Sequence, residues 1–582
     1  MHVSSDDDAD FADEAIAGFV AANDDRVMRV EGGVVRAEES APGEVAVVIG
    51  GGSGHYPAFA GLVGSGLATA AACGNVFASP SASQVYNVAK AADNGGGVLL
   101  SFGNYAGDVL NFAQAAQRLR SEGTDARTVL VTDDIASAPA HKLDQRRGIA
   151  GGLAVFKVAG AAAYAGMPLS EVERVATKAN MCTRTLGVAF RGCTLPGATA
   201  PLFTVPAGQM SVGLGIHGEP GIREVPAPPV GELAELLVGA LLAEKPPRPA
   251  GRAVVLLNGL GSVKYEELFL LYGKISPLLV RAGVEVVSTE CGELVTSLDM
   301  AGLSLTLFWV DHELEAFWSA PADAPAYRRG AVQRRGRRAT VELQGCTEAK
   351  QEHPTEASRR LALSTVSVIE AVARALHEME QELGALDAVA GDGDHGAGMC
   401  RGVDAALGAA RRASEQGVGV AGVVRQAGEK WSDRAGGTSG ALWGAGICAV
   451  ASSLGNREVY TTDDLVAAVA AARDAVVTLG KANLGEKTML DALVPLVEAL
   501  TEAVARGETT AGALHAGADA ATRAARATAP LRPRRGRARP LADKSVGTPD
   551  AGAVSLALVV TAAAGYLGPA SASGPKGALG GR

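Results

Sequence analysis

Paired cysteines, aromatic residues, positive charge and long apolar runs are all scarce in this chain, and each scarcity removes a class of function. The seven cysteines, Cys73, Cys182, Cys193, Cys291, Cys346, Cys400 and Cys448, include no C-x-x-C. An odd, scattered set reads as reduced core residues rather than a disulfide framework, and a reducing cytoplasm is the expected compartment. Aromatic residues make up 4% of the chain, so its cores must be built from Ala, Val and Leu. The formal net charge of -10 argues against nucleic acid and anionic membrane as partners, since both select basic faces. The start MHVSSDDDAD has no basic, apolar signal-peptide pattern, and the longest apolar run, from Ala553, is too short to span a bilayer. No G-x-x-x-x-G-K-[ST] occurs, and the glycine-rich turn after the first strand, GGGSGH, does not have G-x-G-x-x-G spacing, so any nucleotide is expected to be held without a Walker loop or a Rossmann fingerprint.

What is abundant is glycine, 74 residues in a chain of 582, with 47% apolar and 20% charged residues. That is a globular composition too long for one core, so at least two domains are expected. From about Glu44 to Val212, β-rich runs (EVAVVIG, GGVLLSFG, ARTVLVTDD and LGVAF) alternate with Ala-rich helical stretches, which predicts a mostly parallel α/β arrangement. A second α/β stretch opens at RAVVLLNGLG from Arg252 and fades near Ala320. The expected organisation is an α/β domain of two subdomains over residues 1–325, a linker over 326–358, and an all-helical domain over 359–582, where strand patterning gives way to helical spacing.

Three loops in the first half carry polar groups. In VAVVIGGGSGHYP the strand is expected to end at Ile49 and run into Gly50, Gly51, Gly52, Ser53, Gly54 and His55, a backbone that a ligand can approach closely. Asp108 follows another strand in SFGNYAGDVLNF, and His217 sits in GLGIHGEPG. Together they supply a base for a hydroxyl, a partner to orient it and a nucleophile for a carbonyl. In the second half, LDAVAGDGDHGAGM crowds Asp387, Asp392 and Asp394 into eight residues. Carboxylates so close repel unless cations neutralise them. No Glu stands where an EF-hand needs one, and magnesium shared with phosphates suits the spacing better. RAGGTSGALWG places Thr438 and Ser439 before a helix, where amides and hydroxyls can receive phosphate oxygens. The stretch RRGRARPLADKSVGTPDAGA adds the cations Arg537 and Lys544, and Asp550 in a Gly/Pro loop.

On GGGSGH, NYAGDVLNF, RRGIAGG, IHGEPG, LDAVAGDGDHG, GGTSGALWG, GEKTMLDAL and KSVGTPDAGA, in this order, the chain resembles the single-chain dihydroxyacetone kinases over nearly its whole length. The resemblance implies an ATP-dependent kinase acting on a short-chain ketose, dihydroxyacetone or a tetrulose such as D- or L-erythrulose. It implies that His217 holds the ketone as a hemiaminal, and that His55 and Asp108 bond the hydroxyl to be phosphorylated, with Asp108 as base. Backbone at Gly52 and Ser53 would line the pocket. It further implies two Mg2+ ions on Asp387, Asp392 and Asp394, and ATP held by His395, Thr438, Ser439, Arg537 and Asp550 within a helical barrel, in a homodimer.

Three departures stand out. The family's G-R-A-S-Y-L-G-E-R lid reads Gly536-Arg537-Ala538-Arg539-Pro540-Leu541-Ala542-Asp543-Lys544, G-H-E-P reads Gly54-His55-Tyr56-Pro57, and a frequent lysine before the N-Y-T-G-D motif is Gly103. The last predicts a roomier ketone pocket suited to a tetrulose. The alternatives are an FAD-AMP lyase forming cyclic FMN, which would need the helical half but not His217, and a phosphotransferase-type regulatory module, whose halves are separate chains.

Overall fold

The computed structural model describes residues 11–247, 251–332, 336, 354–391, 393–535 and 542–567. The chain divides into two units, Met1–Leu343 and Gln344–Arg582.

In the first unit, α1 (Phe11–Ala22) precedes the hairpin β1 (Val27–Val30) and β2 (Gly33–Arg36). Then come β3 (Ala46–Ser53), β4 (Ala70–Val76), α2 (Ala82–Ala92), β5 (Val98–Gly103), α3 (Ala106–Ser121), β6 (Ala126–Val131), α4 (Gly152–Tyr164) and α5 (Leu169–Met181). The strands form a sheet in the order β1-β2-β4-β3-β5-β6. Within it β4, β3, β5 and β6 are parallel, and the hairpin adds an antiparallel edge. Near-continuous burial of β3 and β5 is what helices on both faces require.

β3 runs through the glycines to Ser53 instead of stopping at Ile49. Gly50, Gly51 and Gly52 stay in register with Ala72, Cys73 and Gly74 of β4. A Cβ on Gly50 would lie 2.5 Å from the Ala72 carbonyl oxygen, and one on Gly52 would lie 2.7 Å from the Ala78 nitrogen. The glycines therefore let a strand pass through crowded surroundings; the turn comes one residue later, at Gly54, with φ 95.

A second sheet takes β7 (Thr183–Arg191), β8 (Gln209–Val212), β9 (Arg223–Pro226), β10 (Arg252–Gly259), β11 (Glu285–Gly292) and β12 (Ala301–Trp309), with α6 (Val230–Ala243), α7 (Tyr265–Arg281) and α8 (His312–Ser319) alongside in sequence. Its order is β11-β10-β12-β7-β8-β9, and only β10 and β11 run parallel. LGVAF in β7, assigned from its spacing to the first α/β stretch, belongs here because it pairs with β12. Alternation marks a strand but does not name its partner. Residues expected to open the linker also stay with this unit: β14 (Arg328–Arg329) pairs with β13 (Ala322–Asp323), and Tyr327 is buried in the core.

The second unit is helical throughout its described residues. In order it has α9 (Glu356–Glu378), α10 (Glu380–Ala388), α11 (His395–Glu415), α12 (Val420–Ala435), α13 (Gly437–Leu454), α14 (Thr462–Gly480), α15 (Leu490–Ala505), α16 (Thr510–Ala527), α17 (Ala542–Ser545) and α18 (Ala551–Leu567). Contacts run α9 to α11, onward through α12, α13, α14, α15 and α16, then to α18 and back to α9, which closes a ring as a helical barrel requires. Side-chain caps mark the helix starts: Thr461 and Asp464 form a reciprocal cap on α14, and Thr355 and Thr509 cap α9 and α16. The apolar run from Ala553 lies in α18 and packs into this ring. No helix among the described residues is long and apolar enough to cross a membrane.

Candidate active site

The C-terminal ends of β3, β5 and β6 open onto one pocket, the usual ligand position on a parallel sheet. Gly52 and His55 reach it from the end of β3, Gly103, Tyr105 and Asp108 from the β5–α3 junction, and Gly148, Ile149 and Gly152 from the β6–α4 loop. Ile216 and His217 come from the β8–β9 loop and Val295 from the β11–β12 loop. The three residues singled out in separate motifs thus meet in space. Ser53 is not among the walls, and its Oγ donates to the Gly74 carbonyl in β4 at 2.7 Å.

The two histidines touch. His55 Nε2 lies 3.0 Å from His217 Nε2. The other nitrogen of each ring faces an oxygen: His55 Nδ1 is 2.7 Å from the Thr296 carbonyl, and His217 Nδ1 is 3.0 Å from Glu219 Oε1. A carbonyl and a carboxylate accept, so both Nδ1 atoms donate, and the two Nε2 atoms face each other. Glu219 is placed to balance a positive charge on the His217 ring. It also accepts from the His217 backbone amide at 3.0 Å, which fixes carboxylate and ring together. Burial, and then the proximity of His217, push His55 down to about 3, so His55 resists protonation.

Aromatic contacts complete the clamp. The His55 ring stacks on Phe77 at 4.9 Å, and His217 meets the edges or faces of Phe77 at 5.4 Å and Tyr105 at 4.6 Å. Phe77 has φ 56, a costly conformation for an aromatic residue. Behind Glu219, Arg147 lies 3.9 Å from Oε2 and bonds Asp134 at 2.9 Å. Of these supporting residues, Glu219 and Arg147 stood in recognised motifs, IHGEPG and RRGIAGG, whereas Phe77 and the Thr296 carbonyl carried no signal. At Gly103 the expected extra room is not present. A Cβ there would lie 2.9 Å from Tyr105 Cε2, so the tyrosine ring occupies the space that the small residue leaves.

In the helical unit, Asp387 near the end of α10 and Asp394 at the start of α11 flank a tight turn. Asp387 Oδ2 accepts from the Gly393 amide at 2.9 Å. His395 follows, with Nε2 2.9 Å from Ser555 Oγ and Nδ1 3.5 Å from Ser439 Oγ. Ser555 donates onward to the Gly552 carbonyl, so His395 donates from Nε2 and offers its Nδ1 lone pair to Ser439. Burial lowers His395, while Asp387 and Asp394 oppose it. Thr438 and Ser439 lie in the first turn of α13, behind Gly436 and Gly437 with φ 64 and 59. Asp550 caps α18 by accepting from Ala553 at 2.8 Å, and burial with Asp491 and Asp387 nearby pushes it up to about 7. A buried carboxylate raised in part by two others nearby suits a hard divalent cation.

Two further residues belong to this region. Asp491 accepts from the Gly485 and Thr488 amides at 2.5 and 2.7 Å, and Lys487 Nζ donates to the Ser545 and Leu531 carbonyls at 2.6 and 3.1 Å. Both lie in GEKTMLDAL, a motif noted without a role. Asp392 and Arg537 fall outside the described residues.

Comparison with known proteins agrees with this geometry. The Dak1 domain model matches residues 17–326 and the DAK2 domain model matches residues 389–565. The D-erythrulose kinase of Mycolicibacterium smegmatis is 53% identical, covering 95% of this chain and 96% of its own. The L-erythrulose kinase of Pectobacterium atrosepticum is also 53% identical, over 96% and 95%. The structure of the dihydroxyacetone kinase from C. freundii in complex with AMP-PNP and Mg2+ is 31% identical with a TM-score of 0.52, over 97% of this chain and 100% of that one. These findings define a two-part kinase with an alcohol acceptor. The chain belongs to the single-chain dihydroxyacetone kinase family.

Proposed function

We propose that this chain transfers the γ-phosphoryl group of ATP to a terminal hydroxyl of erythrulose, with dihydroxyacetone as a secondary substrate. The observation that carries the reading is the clamp on His217, with Nδ1 on Glu219 and Nε2 opposite His55. With both Nε2 atoms unprotonated, the His217 Nε2 lone pair is free to attack a ketone. The N–C bond forms, the carbonyl π pair moves to oxygen, and that oxygen takes a proton from water. The positive charge then rests on the His217 ring, opposite Glu219. A plain polyol has no carbon to accept the attack, so the adduct selects ketoses. Asp108, buried in the first turn of α3, takes the proton of the terminal hydroxyl as its oxygen attacks phosphorus.

Asp387 and Asp394, with Asp392 of the same motif, would hold Mg2+, two ions by family precedent, and the metal neutralises triphosphate charge during transfer. Thr438 and Ser439, with the first-turn amides of α13, would receive phosphate oxygens, and His395 and Asp550 would border the nucleotide. Arg537 would belong to the lid. We assign the ketone site to residues 1–325 and the nucleotide site to 359–582, with 326–358 as linker, and infer a cytoplasmic homodimer on the family's precedent.

The two erythrulose kinases named above are equally similar, so identity does not choose an enantiomer. The test is kcat/KM for ATP consumption with magnesium against D-erythrulose, L-erythrulose, dihydroxyacetone and glycerol. One erythrulose should lead, dihydroxyacetone should follow, and glycerol should be at background. Equal turnover of glycerol and the ketoses would overturn the reading.

A further inference from the structure

Away from both sites, the corner where α9 ends, α10 begins and α11 passes brings three unlike donors together. His377 comes from the last turn of α9, Glu380 is the first residue of α10, and Cys400 lies in the second turn of α11. Their ligand atoms all lie within 4.8 Å of one another. We propose that His377, Glu380 and Cys400 form a binding site for a thiophilic divalent cation of the zinc type, distinct from the magnesium centre. This inference does not depend on the proposed substrate.

The chemistry of the donor set selects the ion. Thiolate and imidazole prefer zinc, cobalt and cadmium, whereas magnesium takes oxygen and keeps its water. A tetrahedral ion with bonds of about 2.0–2.3 Å holds its ligand atoms roughly 3.3–3.8 Å apart. Donors already within 4.8 Å need only a small side-chain adjustment to reach that spacing. His377 is placed to make it, because its side chain is 47% exposed.

The other two donors are held by backbone packing. A Cβ on Gly396 of α11 would collide with the Glu380 carbonyl oxygen, so α10 and α11 touch here without intervening side chains. His377 also has the support that metal-binding imidazoles usually have. Its Nε2 lies 3.0 and 3.1 Å from the two oxygens of Asp404, which orients the ring; with that contact kept, the ion would bind Nδ1. In the metal-free chain the Cys400 thiol donates to Glu380, and burial with Glu380 and Asp404 nearby pushes it up to about 12. Metal entry therefore displaces one proton from sulfur to solvent, and the thiolate and carboxylate together match the charge of a dication. Three protein donors leave a fourth position for water.

The place of the cluster gives the site a consequence. An ion there ties α10 to α11 at one end, while the turn joining the same two helices carries Asp387 and Asp394. Occupancy stiffens the base of the turn that the magnesium-binding carboxylates require.

The test is a Co2+ titration of the full chain in excess Mg2+, which saturates the oxygen-rich centre. One equivalent should produce thiolate-to-cobalt charge-transfer absorption in the near ultraviolet, and equimolar Zn2+ should abolish it. Cys400→Ser should lose the band, and His377→Ala, at an exposed position, should weaken Co2+ binding about tenfold or more. Both variants should keep turnover with Mg2+ and ATP. The same band in Cys400→Ser, unchanged affinity in His377→Ala, or no band in the unmodified chain at millimolar Co2+ would overturn the site, leaving only a thiol–carboxylate hydrogen bond.

Discussion

Glu219 shows how much of the chemistry depends on residues that never touch substrate. It accepts from both the backbone amide and Nδ1 of His217, so it sets the tautomer and, in the proposed mechanism, would balance the charge that the ring gains on attacking a ketone. Glu219→Gln keeps the size and loses the charge. By analogy with replacing the carboxylate behind a catalytic imidazole, kcat/KM for the ketose should fall by about 10²-fold or more, with Tm nearly unchanged, as steady-state kinetics and thermal melting would show. An unaltered kcat/KM would mean that His217 needs no carboxylate. At this scale the meeting of His55, Asp108 and His217 in one pocket was legible because each is a polar residue close to a glycine-punctuated strand end. The Thr296 carbonyl that orients His55 was not, since a backbone acceptor carries no side-chain signal and lies 241 positions away. Gly103 was legible as a departure but not in its effect, which depends on the Tyr105 ring lying over it.

Among the elements, β3 was recognised as a strand and misjudged at its end. Its glycines suggested a loop, yet they continue the ladder because neighbouring chain lies too close for any Cβ. The physical content is steric, so Gly50→Ala, with Ala72 oxygen at 2.5 Å and the Phe112 ring at 2.9 Å, should cost about 1–3 kcal/mol of stability through overpacking. Denaturant unfolding of the variant measures this, and a neutral result would show that the sheet can yield there. The same limit explains β7. Its alternation gave a strand, but its pairing with β12, more than a hundred residues onward, is a tertiary choice that local pattern does not encode. The helices of the second unit were easier, because caps such as Thr461–Asp464 and 3.6-residue spacing are local. The closure of α18 onto α9 was not local, and it was implied only by the family resemblance.

For the whole molecule, length and composition required more than one domain and the motif order gave the family, while the proposed division of labour follows from where the residues lie. The groups proposed to capture the ketone are in the first unit and the carboxylate turn is in the second, so on the proposed reading capture and transfer should be separable. Asp387→Asn should abolish phosphorylation yet leave ketone capture intact. The decisive measurement is therefore carbon NMR of erythrulose labelled at its ketone carbon, bound to the Asp387→Asn chain. The account predicts that the labelled carbon converts from a trigonal to a tetrahedral resonance in slow exchange, and that this signal is absent when His217→Ala is added. A bound ketone that stays trigonal, or a tetrahedral signal that survives the loss of His217, would contradict it.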